Sequence, residues 1–589
     1  MACRPGGGVV WGAWRRRFRQ PLPLGFLVVA LCALIGGVLY APGNYDSLTY
    51  RIPRMLNWLA EGQWHWIHTP TVRMNGRPTN WEWLAMPFLV FTHSGRLVFL
   101  LNVVSFLLLP GLIFSVFSRL GVVPRVAYAW MWLLPTAYGV VLQVSSNAND
   151  IFALPYVLAA LDFALRARRS GRVSQAWLSL LAAALVTGTK SSNLTLLLPW
   201  AVALAPSWRL FLGRRLASLA VAALAVGVSI LPTAVLNHRY CGDWSGVVLE
   251  PSLAKCSPAM GLIGNTLHLV VGNFVPPIFP LAGWWNDHRL GFFPVGFRQR
   301  LEAAWEPPVL RLGEVPVEDS AGLGFGLAML LAVSLFWVWR WRGRQGSAAR
   351  PRPQAARAFA SGFGLLLVVL PWVSLLVFMV KVSSFAAARV VLPYYPLLVP
   401  LLLWPGGQGT LVRQAWWRRS ALAVCALAVL VLVVNPARPL WPARTALAWL
   451  QERWPGTKLL ARAAKVYAVY GQRSDALAPV RQLLPPGVDC FGFVGGGDDP
   501  EASLWLPFGQ RRLIHVMPSK TGPDLPDGRL EYVIVSLNAL DECYRLTLAD
   551  FLQQCSGRVV GEVSFTHRAA AAPARWCLVQ LPKSRARAP

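Results

Sequence analysis

Residues 23–40, PLGFLVVALCALIGGVLY, carry no charge and are long enough to cross a bilayer as one helix. Directly after them comes Tyr45-Asp46-Ser47-Leu48-Thr49-Tyr50-Arg51-Ile52-Pro53-Arg54, which sets an acid and two cations in one short loop beside the lipid. Arg4, Arg15, Arg16, Arg17 and Arg19 precede the run, as in a signal peptide, yet no small-residue cleavage site follows it. The reading is a retained first helix, with residues 1–22 a basic cytoplasmic N-terminus.

The rest of the chain repeats that pattern. Of its 589 residues 55% are hydrophobic and 14% charged, and the mean hydropathy is +0.45, beyond the apolar share of a soluble globular protein. A net charge of +30 would suggest nucleic acid in a soluble protein, but here most Lys and Arg lie in short loops between apolar runs. The positive-inside rule accounts for that charge as topology, and no nucleic-acid partner is expected.

Taken in order, spans are expected at 97–117, around Pro135 to near Gln143, and from the turn Ser145-Ser146-Asn147-Ala148-Asn149-Asp150 to the basic cluster Arg166, Arg168, Arg169 and Arg172. The apolar stretch 176–206 is interrupted by Thr187-Gly188-Thr189-Lys190-Ser191-Ser192-Asn193, leaving pieces shorter than the roughly 20 residues a span needs. A hairpin of short or broken helices is expected there. Arg209, Arg214 and Arg215 return the chain to the inside, which puts Lys190 toward the outside. Further spans, among them 216–236, 359–380 and 421–434, bring the number to about eleven. Arg340, Arg342, Arg344, Arg350, Arg352 and Arg357 fill one inside loop, and Arg413, Arg418 and Arg419 another. Outside loops are expected at 41–96 and 237–320, and Lys381 and Arg389 bracket a short outside turn. None of the 26 acidic residues falls in a cytoplasmic loop on this reading, which supports the orientation.

The membrane region is thus residues 23–435. From Trp441 onward, β-like runs at 490–494, 513–517, 532–536 and 559–565 alternate with helix-like segments such as 546–555, and an extracytoplasmic α/β domain is expected over 436–589. Gly495-Gly496-Gly497 has no Lys-Ser/Thr after it and completes no G-x-G-x-x-G, so it reads as a tight strand-to-helix turn. Six of the nine cysteines fall on the outside, which permits disulfides, with Cys241 and Cys256 the best candidate pair.

Leu48, Ile52, Met55, Leu56 and Leu59 fall at helical spacing, as in an amphipathic helix lying on the membrane. Asp46 would be its N-cap, a role that does not exclude catalysis. Asp46, Asp150, Lys190 and Arg389 all come from outside turns of different helices, so folding can gather them in one cavity; each by itself also suits an interface anchor. His65-Trp66-Ile67-His68 with Glu82 leaves a divalent metal open, although the aromatic neighbours favour an interfacial belt.

These residues resemble the GT-C superfamily of membrane glycosyltransferases, in the branch of protein O-mannosyltransferases, aminoarabinose transferases and bacterial family 39-like proteins. The resemblance rests on residues 45–54 with Trp58, on Asn75-Gly76-Arg77-Pro78-Thr79-Asn80-Trp81-Glu82-Trp83, on Ser146-Asn147-Ala148-Asn149-Asp150 and on Thr187-Gly188-Thr189-Lys190, in that order along the chain. The C-terminal domain matches no motif. The resemblance implies that Asp46 stands where the first-loop acid serves the acceptor, and Arg389 where a late-helix cation lies near the lipid phosphate. Ser47 stands where many eukaryotic members have Glu, which leaves the acceptor class open.

The implied chemistry is sugar transfer from a polyprenyl-phosphate donor on the extracytoplasmic side of the plasma (inner) membrane. Asp46 would be the base, and Asp150 would orient the acceptor or Lys190. Arg51, Arg54, Arg77, Glu82, Lys190 and Arg389 would bind lipid phosphate and acceptor. No metal is expected to be essential. The alternatives are a transporter or flippase of a lipid-linked sugar and a noncatalytic envelope assembly subunit. A transporter would lead one to expect repeated halves, whereas one interrupted stretch and no evident repeat are found.

Overall fold

The computed structural model describes residues 16–250, 256–305, 309–345, 362–519, 523, 530–568 and 572–582. Arg4, Arg15, Arg350, Arg352 and Arg357 lie outside the described residues, as do the side chains of Arg342 and Arg344. The chain is mostly helical, with one small sheet near its C-terminal end.

Among the described residues, five helical stretches are long and apolar enough to cross a membrane: Pro21–Leu39, Leu100–Arg119, Ser191–Val228, Gly362–Lys381 and Ala415–Val433. Val173–Thr189, Phe325–Trp341 and Leu392–Leu403 are shorter apolar helices. The sequence led us to expect about eleven spans. The difference has local causes. The span expected around Pro135 is divided into Pro124–Leu133, a 3₁₀ turn Leu134–Thr136 and Tyr138–Val144, because proline removes a backbone donor and clashes with the preceding turn. Asp150–Ser170 has the length but carries Asp150, Asp162, Arg166, Arg168 and Arg169. Its buried Asp162 is met by Ser115, Arg119 and Arg166, each at 2.7 Å, which compensates the charge. The interruption at Lys190 is real: Val173–Thr189 ends there in extended backbone, and the 3₁₀ turn Ser191–Leu196 starts the next piece.

The C-terminal sheet has five strands, β1 (Cys490–Val494), β2 (Arg512–His515), β3 (Tyr532–Ser536), β4 (Arg558–Phe565) and β5 (Ala574–Gln580), in the order β2-β1-β3-β5-β4. β1 pairs in parallel with β2 and β3, and β5 runs antiparallel to β3 and β4. Phe491 to Val494 are all buried, as in a strand covered on both faces, whereas β4 alternates half-buried and exposed positions at the edge. β5 is an element the sequence reading did not contain.

The helix Ile52–Glu61 does not rest on lipid by its apolar face, as expected from its spacing. Leu48, Ile52, Met55 and Leu56 are buried in one apolar cluster with Trp81, Leu89 and Phe152 and with Leu477, Phe491, Phe493, Leu504, Trp505 and Trp576 of the C-terminal domain. Of the five apolar positions only Leu59, 37% exposed, stays outside the burial. Each such side chain contributes about 1.5–3 kcal/mol on full burial, so the domain, not the bilayer, is the partner of this face.

Candidate active site

The loop after the first helix is shaped by Asn44, whose Oδ1 accepts the backbone N–H of Ser47 at 3.1 Å. That leaves Asp46 free of the capping role the sequence suggested: its side chain makes no cap bond. Residues Ser47–Arg51 form one π-helical turn, a wide turn often found at functional sites. It brings Arg51 back beside Asp46, with Nη2 3.5 Å from Oδ2.

Arg51 is buried, between the rings of Tyr50 and Trp81. It donates to the carbonyl of Asn147 at 3.0 Å and to Oδ1 of Asn149 at 2.8 Å, which fastens the first loop to the Ser146–Asp150 turn. Asn102 holds that turn from the helix Leu100–Arg119, its amide donating to the carbonyls of Gln143, Ser146 and Ala148. Asn149 in turn donates to the carbonyl of Thr189 at 2.9 Å. Gly188, in the same Thr-Gly-Thr-Lys segment, packs so closely that a Cβ would lie 2.1 Å from the carbonyl oxygen of Val228 and 2.7 Å from Nδ2 of Asn80. Three motifs far apart in sequence are thereby locked together.

Their charged ends meet. Lys190 donates from Nζ to Oδ1 of the buried Asp150 at 2.5 Å, and Gln143 donates to Oδ2 at 3.2 Å. Arg389 reaches Asp46 at 3.3 Å, Asp150 at 3.7 Å and Asp319 at 3.9 Å. Asp319 extends the network to Arg473 at 3.3 Å and to Asn44, whose Nδ2 donates to it at 3.3 Å. Arg473 lies 3.8 Å from the centre of the Tyr470 ring. Burial alone would raise the Asp46 carboxyl, but Arg389, Arg51 and Lys190 outweigh it and hold the acid well below the ordinary carboxylate range. Asp319 moves the other way, because burial and neighbouring Glu318 outweigh Arg473 and Arg389.

The fold therefore brings together Asp46, Arg51, Asp150, Lys190 and Arg389. It does not bring Arg54, Arg77 or Glu82 into that cluster. Arg54 and Glu82 form a fully buried ion pair, and Arg54 also donates to the carbonyls of Arg77 at 3.0 Å and Pro78 at 2.8 Å. Its charge is spent holding the 73–82 segment. Arg77 pairs with Glu250, which also takes Arg73 at 2.8 Å. His65 lies beside the carbonyl of Gln63 at 3.1 Å, and among the described residues no three His, Cys, Asp or Glu are grouped to hold a metal ion. The expected pair Cys241 and Cys256 is not bonded: both thiols are free, and Cys241 donates to the carbonyl of Asn237 at 2.9 Å.

No family model matches the chain, and no curated protein matches it. In structure it is similar to ArnT from Cupriavidus metallidurans bound to undecaprenyl phosphate, at 14% identity over 95% of this chain and 98% of that one, with a TM-score of 0.45. The same protein in the apo state matches at 15% identity over 94% and 96%, also with a TM-score of 0.45. The Archaeoglobus fulgidus oligosaccharyltransferase in complex with Zn and sulfate matches at 12% identity over 92% and 72%, with a TM-score of 0.42.

Asp319, Arg473, Asn44 and Asn102 were missed by the sequence reading. Asp319 ends the long 237–320 loop beside another acid, Glu318, and two adjacent acids at the entry to an apolar helix are a usable signal. Arg473 carried none.

Taken by itself, the central cluster has three cations against two carboxylates. It can attract one anionic group to Arg389 and Lys190, which keep 12% and 17% exposure, and present the 18% exposed Asp46 to a proton donor.

Proposed function

We propose that the chain is a membrane glycosyltransferase that moves a sugar from a polyprenyl-phosphate donor to an acceptor on the extracytoplasmic side of the plasma (inner) membrane, its N-terminus cytoplasmic and its C-terminal domain outside. The observation that carries this reading is Asp46 held between Arg51 and Arg389, with Lys190 and Asp150 beside them. An acid that can take a proton and cations that can take a phosphate share one small space.

The acceptor oxygen attacks the anomeric carbon as the bond from that carbon to the phosphate oxygen breaks. The acceptor proton passes to Asp46, and polyprenyl phosphate leaves with one more negative charge than it had as the sugar diester. Arg389 and Lys190 meet that charge as it develops. At rest Asp46 is a weak base, since two guanidiniums stabilise its ionised form. A donor phosphate that draws Arg389 toward itself removes part of that stabilisation and makes Asp46 a better proton acceptor when the sugar is in place. Asp150 keeps Lys190 oriented. No metal is needed on this reading, because both carboxylates are already met by cations and the leaving group is already a phosphate.

The test is to incubate the purified protein with polyprenyl-phosphate sugars and follow loss of donor and gain of product. Transfer near wild type in Asp46→Asn would remove the assignment of the base. Movement of intact donor across a bilayer without its consumption would favour a transporter.

A further inference from the structure

A second polar space lies between the segment 70–73 and the C-terminal ends of β1 and β3, with a volume of about 540 Å³, within the range of ligand pockets. Asp46 is not among its lining residues, but two neighbours link them. Arg73 on its wall acts electrostatically on the Asp46 carboxylate, and Tyr45 donates its hydroxyl to the carbonyl of Asp498, another wall residue.

The chemistry of the wall selects the ligand. Glu250 is already taken by Arg73 and Arg77. Asp499, 9% exposed, accepts the backbone N–H of Gly496 at 2.7 Å, and neither it nor Glu542 has an ion pair among the described residues. The His567 ring belongs to the wall, and both its nitrogens are shielded from solvent and have no partner among the described residues. Burial, with Arg568 and Arg473 near, lowers its pKa to about 4, so the ring is neutral at pH 7. One nitrogen then donates and the other accepts. Arg568 is turned to the carbonyl of Asp498 at 2.9 Å. A phosphate or carboxylate would meet the carboxylates of Asp499 and Glu542, which have no ion-pair partner among the described residues, Arg568 acting on Asp499 only from beyond ion-pair distance. Hydroxyl groups, which donate to carboxylates and both donate to and accept from a neutral imidazole, match each of these partners.

We propose that this cavity binds a glycan, uncharged or amino-bearing and rich in hydroxyls, as the acceptor that delivers its hydroxyl to Asp46. The proposal rests on the reading of Asp46 as the base of a sugar transfer.

The experiment is binding of the full-length, detergent-purified protein to an array of defined neutral, amino-sugar and uronic-acid oligosaccharides. Neutral or amino-bearing members should be retained about tenfold better than uronates, and His567→Ala and Glu542→Gln should each lower retention about tenfold. Glu542 is exposed, so its variant tests the cavity even where His567→Ala fails to fold. The same sugars carried on glycolipids in phosphatidylcholine vesicles distinguish the source: equal retention supports a soluble or polymeric glycan, and a clear gain on vesicles supports a lipid-borne one. No retention by the wild type, preference for uronates, or retention unchanged in both variants would overturn the proposal. Asp46→Asn should keep its retention. Transfer near wild type in that variant would remove the base and leave the cavity standing, whereas unchanged retention in the cavity variants would do the reverse.

Discussion

Nη1 of Arg389 lies 3.3 Å from Oδ2 of Asp46, across 343 positions of sequence. The same guanidinium stands 3.7 Å from Asp150, so, besides Asp319 at 3.9 Å, one cation serves Asp46 and Asp150, which come from different turns. Removing it leaves both acids short of positive charge and takes away the best bidentate partner for a phosphate. Arg389→Ala should weaken donor binding by about ten- to a hundredfold, the loss of a charged hydrogen-bonded partner. Arg389→Lys should recover part of it. Donor titration of transferase activity measures both, and unchanged donor dependence would take Arg389 out of the site.

Asp46→Asn should lower transfer by about 10²–10⁴-fold, the usual contribution of a positioned base. The variant should remain folded and inserted, since Asn44 rather than Asp46 caps the turn. Detergent gel filtration beside the activity assay checks the two halves of this expectation.

The acid limb of the pH profile follows from the depressed Asp46 carboxyl. A group whose folded pKa lies below its unfolded value contributes stability above the ordinary carboxylate pKa and loses it as pH falls through the folded value. Followed as kcat/KM, which reports the free enzyme, wild-type transfer should therefore not fall off in the ordinary carboxylate range, near pH 4. In Arg389→Ala the limb should move up toward that range. An acid limb in the same place in both proteins would separate Arg389 from Asp46.

Arg54 lies three residues from Arg51 yet has another task. Arg54→Ala would leave Glu82 buried and unpaired, a loss of about 3–5 kcal/mol. The expected result is a sharp fall in yield and thermal stability. Replacing both residues by apolar ones of similar volume should restore much of the stability, as read by thermal unfolding in detergent.

These two arginines mark how far the sequence could be read. Asp46, Asp150, Lys190 and Arg389 were marked as members of one cavity by topology, because charge bias sets which loops share a side. Whether Arg51 or Arg54 faces the acid depends on one π-helical turn and on where Glu82 arrives, and neither has a local signature. β1 and β3 were legible as apolar runs ended by turn residues. β5, Ala574–Gln580, follows an Ala- and Pro-rich stretch and interleaves Arg575 and Trp576 with apolar residues; its identity as a strand comes from pairing with β3 and β4. Arg473 joins Asp319 across 154 positions, a meeting that only the packed domain creates.

Asp499 gives a stability test that needs no substrate. Burial raises its pKa to about 6, against an ordinary carboxylate value near 4. The folded state then holds a proton that the unfolded state has lost, so stability falls as pH rises between those values and stays lower above them. Asp499→Asn keeps an acceptor for the Gly496 N–H. It should be more stable than wild type at pH 7 by roughly 2–3 kcal/mol, with the difference vanishing below about pH 4. Melting curves of the two proteins across that range check the sign.

The apolar cluster that joins the helix Ile52–Glu61 to Leu477, Phe491, Trp505 and Trp576 also sets an order on synthesis. The helix that carries Arg54 and follows Asp46 is made well before those residues, so part of its greasy side stays uncovered until the C-terminal domain has been synthesised. A polypeptide cut short before β1 lacks most of the cover that the C-terminal domain gives to this first loop.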